Sequence, residues 1–154
     1  MKKLEKLLKE FENNIPNQKI VNTKVSEASV GWHIEHALLV INGIITTTKN
    51  SNPIDYKWSF NLPRTVTFIK GDFPRGRAKA PKSVVPKTEF NIESLKNHLS
   101  ETHQNLKDLQ VLDAKNHFIH PMFGKLNLKQ TIKFLGIHTR HHVDIINDIL
   151  KTDK

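Results

Sequence analysis

The chain has 154 residues, a formal charge of +9 at neutral pH and no cysteine. That length fits one domain spanning residues 1–154 with a real buried core. The missing thiols exclude disulfides, thiolate zinc knuckles and cysteine nucleophiles, which leaves histidine, carboxylate and water as metal donors.

Residues 2–14 predict a first helix, because Leu4, Leu7, Leu8 and Phe11 recur at helical steps before Asn13, Asn14 and Pro16 end it. The opening alternates lysine with leucine, which is not the pattern of a signal peptide. A polar connection follows, and either Ser26 or Ser29 can cap a second helix reaching about Thr47. Its apolar run around Ala37 to Ile45 is broken by Asn42 and Gly43 and falls short of the roughly 20 residues a membrane span needs. A soluble, cytoplasmic protein without membrane attachment is expected.

Between residues 53 and 86 the helical period is lost amid Pro53, Pro63, Pro74, Pro81 and Pro86. This stretch is expected to be a long crossover covering one end of the molecule, tethered by Trp58, Phe60, Phe68 and Phe73. Asn91 opens a third helix through Leu95, Leu99, Leu106 and Leu109 to about Val111, in which His98 and His103 do not share a face. Residues 113–125 form a second connection, and Asn127 caps a last helix to about Leu150. Four helices with a long crossover between the second and third predict an all-α four-helix bundle. Trp32, Phe123 and Phe134 are assigned to its core.

The chemistry concentrates on the last helix, at Phe134-Leu135-Gly136-Ile137-His138-Thr139-Arg140-His141-His142. His138 and His142 stand one turn apart, about 40° from each other in projection, on the stripe of Leu128, Ile132, Leu135, Ile145, Ile146 and Ile149. Imidazoles that face a core need partners for both ring nitrogens, and a divalent metal with a third ligand from another helix supplies one. The second helix offers His33 or His36, three residues apart and both near its apolar stripe, and periodicity does not choose between them. Three neutral nitrogens would leave an open coordination position, as in catalytic metal sites. The competing reading has these histidines hydrogen-bonded in the core, to Asn42 or to backbone carbonyls.

Ser29-Val30-Gly31-Trp32 leading to His36, then His120-Pro121 before His138-Thr139-Arg140-His141-His142, resembles the DinB-like superfamily of four-helix metalloproteins. The branch it is most similar to is the YfiT type, which includes bacillithiol S-transferases. The resemblance implies that His36, His138 and His142 bind a divalent ion, nickel or zinc, that His33 and His141 line the site or bond to its ligands, and that His120 lines it. It further implies a metal-dependent thiol S-transferase acting on a low-molecular-weight thiol and an electrophile, and a homodimer. A non-catalytic, metal-stabilised bundle that binds a ligand or partner is the alternative.

The positive charge is densest at Lys70, Arg75, Arg77, Lys79, Lys82 and Lys87. Lys70, Arg75 and Arg77 are the candidate contacts for an anionic cosubstrate. Nucleic-acid binding is not expected, because no stacking aromatics interleave with these residues in a defined module.

Overall fold

A computed structural model describes residues 1–73, 81–86 and 89–151. It is mostly helical, with five α-helices and one two-stranded sheet among the described residues. The long helices are α1 (Lys2–Asn14), α2 (Val30–Lys49), α4 (Ile92–Asp108) and α5 (Leu128–Leu150), and between α2 and α4 lies a short α3 (Leu62–Lys70). No described helix is long and apolar enough to cross a membrane.

Three of the four long helices begin where the sequence offers a side-chain cap, and α1 starts after Met1 without one. Ser29, in an extended conformation, accepts the Trp32 N–H at 3.2 Å, so α2 starts a turn later than a Ser26 cap would set it. Asn91 and Asn127 each form reciprocal capping boxes, with Ser94 and Gln130 as partners. α1 buries Leu4, Leu7, Leu8 and Phe11 against α4 and α5, and α2 packs against the same two helices. The start of α2 docks on the preceding segment: the Val30 and Gly31 N–H groups donate to the carbonyls of Ile20 and Gln18. A Cβ on Gly31 would run into the Phe90 ring and the Gln18 side chain, which accounts for a glycine inside a helix.

Two expected connections carry structure of their own. Within 53–86, α3 starts at Asn61, whose side chain caps the Arg64 N–H, and ends at Gly71 in the left-handed region at φ 71°. Pro63 lies in its first turn, where a missing N–H costs nothing. Residues 117–127 form an antiparallel hairpin, β1 (His117–His120) with β2 (Gly124–Asn127), pairing His117 with Asn127 and His120 with Gly124. Gly124, at φ 68°, makes its turn. An all-α chain is therefore corrected to a mostly helical one with a small sheet.

The crossover is pinned to the hairpin by polar contacts. Arg64, only 4% exposed, donates to the carbonyls of Ser59, Phe123 and Lys125. Asn61 donates to the Met122 carbonyl and Lys125 to that of Asp55. Phe68 and Phe73 are half-buried against Phe123, as expected of tethers. Trp58 and Phe60 are not tethers, being 67% and 68% exposed.

Candidate metal centre

The caps on α2 and α5 set which way their histidines face. With Ser29 and Asn127 fixing the helix starts, His33, His36 and His142 are buried, and His138 is half-buried with its Nδ1 fully enclosed. His36, His138 and His142 each offer a nitrogen within 4.8 Å of the other two. These three histidines can hold a metal ion.

The hydrogen bonds behind the rings decide which nitrogens are free. His36 Nδ1 lies 2.8 Å from the Val84 carbonyl, which only accepts, so the ring proton is on Nδ1 and the Nε2 lone pair is open. Trp32, half-buried, stacks on the same ring at 5.0 Å and holds its plane. His142 Nδ1 lies 3.0 Å from His33 Nδ1. His138 Nδ1 has no partner, although it is shut away from water. An unpaired buried ring nitrogen is costly in a finished core.

The electrostatics keep these rings neutral. Burial, reinforced by the neighbouring imidazoles of His36, His141 and His120, pushes the pKa of His138 down to about 3. Burial and then the His138, His36, His33 and His141 rings press that of His142 well below the usual range. His36 is lowered mainly by burial, against the opposing effect of its bond to Val84. Neutral imidazoles keep their lone pairs for a cation at physiological pH.

The other expected site residues divide. His33 sits behind His142 and reaches Ser26 with its second nitrogen. His141 is at the rim, edge-on to His142 at 5.4 Å, with its Nδ1 3.8 Å from the Asp72 carboxylate. His120 locks the hairpin turn: its Nδ1 accepts the N–H groups of Met122 and Phe123 at 3.1 and 3.2 Å. That lone pair is spent, and burial lowers the ring's pKa. Stacked on Phe123 at 4.4 Å, His120 belongs to an aromatic wall with Phe73 and Phe134 that closes over His138. Lys70, exposed, borders an open groove with Leu62, Val66 and Phe73. Arg75, Arg77, Lys79 and Lys87 lie outside the described residues.

Asn42 does not serve the histidines; it bonds Thr102 and Asn105 on α4. Glu35 faces the same helix, 3.0 Å from His98, and Asp144 pairs with Arg140. Two supporting groups were not foreseen. The Val84 carbonyl gives no side-chain signal, and Ser26, a possible helix cap by sequence, turns out to face His33. Compared with known protein families, curated proteins and solved structures, the chain matches none.

Proposed function

We propose that this chain is a DinB-like four-helix bundle of α1, α2, α4 and α5 in which His36, His138 and His142 hold a divalent ion, and that it acts as a thiol S-transferase. The observation that carries the reading is the convergence of three neutral imidazoles with one enclosed nitrogen, His138 Nδ1, left without a partner. Imidazole donors suit nickel and zinc. A bound divalent ion supplies Lewis acidity, which lowers the pKa of a thiol or water and stabilises its anion near neutral pH.

The three candidate ligands are imidazoles held toward the neutral form, so the charge of a bound ion would be left to attract an anion, thiolate or hydroxide. Two further features favour the thiol. Phe73, Phe123 and Phe134 exclude water from one side and suit an apolar electrophile. Glu35 and Asp144 are engaged elsewhere, which leaves neither as the base for hydrolysis. Lys70, Arg75 and Arg77 are the contacts proposed for an anionic thiol.

Elemental mass spectrometry of the untagged protein tests the centre. About one nickel or zinc per chain is expected, lost in His36→Ala, His138→Ala or His142→Ala with helical content kept. Retention of metal by all three variants would sink the reading. A panel of thiols and electrophiles then separates enzyme from binding module: metal-dependent conjugation is turnover, and saturable binding alone is not. An unchanged KM for an anionic thiol in Lys70→Glu would remove the anion contact.

A further inference from the structure

Behind His142 stands a hydrogen-bonded chain that the three-ligand reading does not use. Ser26 Oγ lies 3.0 Å from His33 Nε2, and His33 Nδ1 lies 3.0 Å from His142 Nδ1. His33 is 4% exposed and His142 6%, so the bond between them is buried, whereas Ser26 is half-buried. Ser26 is held in turn by the Ala28 N–H, which donates to its oxygen at 3.1 Å.

We infer that His33 is the positioning residue of the candidate centre, holding His142 with its proton on Nδ1 and so turning the Nε2 lone pair toward His36 and His138. This rests on the proposed metal site. Only one proton fits between two Nδ1 atoms 3.0 Å apart, so one ring donates and the other accepts. If His142 donates, His33 carries its own proton on Nε2 and gives it to Ser26 Oγ, which can accept it alongside the Ala28 N–H. If His33 donates instead, His142 must carry a proton on Nε2, the nitrogen a metal needs. Coordination therefore selects the first arrangement, and the Ser26 oxygen makes it possible.

The geometry is the one in which a ligating histidine gives its second N–H to a fixed acceptor, with a neutral imidazole where a carboxylate is common. His36 obtains the same service from the Val84 carbonyl. A carbonyl has no choice of role, whereas His33 does; coordination at His142 selects its role, and the Ser26 hydroxyl accommodates it. The two supports come from different elements: His33 on α2, held by Ser26 of the preceding loop, steadies the α5 ligand, and Val84 of the crossover steadies the α2 ligand.

The test is zinc affinity, measured by competition with a chromophoric chelator, for wild type, His33→Phe, His33→Asn and Ser26→Ala. His33→Phe keeps a planar ring but offers no acceptor, and a loss of roughly 10- to 100-fold is expected. Asparagine places an amide oxygen near the position of Nδ1, so His33→Asn should recover most of that loss. Ser26→Ala should fall between, and it carries the test if His33→Phe does not fold. In the zinc-loaded wild type, long-range proton–nitrogen NMR should show His142 protonated at Nδ1. Wild-type affinity in His33→Phe and Ser26→Ala, or no recovery in His33→Asn over His33→Phe, overturns the positioning role while leaving the metal site standing. Failure of the wild type itself to bind zinc or nickel overturns the site, and this role with it.

Discussion

The molecule buries polar groups in two places, and the two are built on opposite principles. Under α3, the Arg64 guanidinium is almost fully enclosed, with carbonyls of Ser59, Phe123 and Lys125 around it. Between α2 and α5, the imidazoles turn toward one another, and His138 Nδ1 is left unpaired. A buried charge that donates to three carbonyls is a staple; it joins the crossover to the hairpin. Lone pairs gathered around a common point repel unless something electron-poor lies among them. Satisfaction, more than burial, separates the structural site from the chemical one.

Arg64→Met should give the largest effect on stability, because it leaves acceptors on two elements without their shared donor. A loss of about 3 kcal/mol is expected from the shift in urea midpoint, with metal stoichiometry unchanged. A loss of metal without a loss of stability would reverse the roles assigned to the two places.

Acid should act on the histidine cluster of the metal-free protein. The rings of His138, His142 and His36 are depressed in the fold, while the unfolded chain takes up protons near pH 6.5. Stability is therefore complete above about pH 6.5 and falls as pH drops toward the folded value of His138, about 3. Urea midpoints between pH 7.5 and 4 should decline steadily, and a flat profile would mean that the rings are already protonated or exposed.

The smallest effect should also have the opposite sign. His138→Leu removes the enclosed unpaired nitrogen, so the metal-free protein should gain about 1 kcal/mol even as metal binding is lost. Thermal denaturation of metal-free wild type and variant measures this, and a large destabilisation would show that His138 serves the core after all.

The same contrast explains what could be read from the sequence. α1, α2, α4 and α5 were legible because their apolar periods face the core and Ser29, Asn91 and Asn127 mark their starts. α3 was not, because its stripe is inverted: Leu62, Val66 and Ile69 are exposed at 60%, 42% and 80% while Arg64 is buried. The hairpin was hidden by strands of four residues, too short to show alternation. In the site, His138 and His142 announce themselves by spacing. His33 and His36 do not separate by period because both are buried, and only hydrogen bonds divide a candidate ligand from its support. His120 stands in the aromatic wall beside the site, and its bonds to the hairpin turn are a second role that no pattern of side chains reveals.

The caps at Ser29 and Asn127 give the candidate centre an angular definition. His36 lies seven residues after its cap, and His138 and His142 lie eleven and fifteen after theirs. At about 100° per residue these counts return each imidazole to within roughly 60° of the direction its cap faces. One residue added between cap and ligand would swing the ring by more than a quarter-circle, away from its partners. The lead-in lengths of α2 and α5 are thus part of the geometry of the candidate centre, whereas the turns beyond His36 and His142 do not enter that count and serve the core instead.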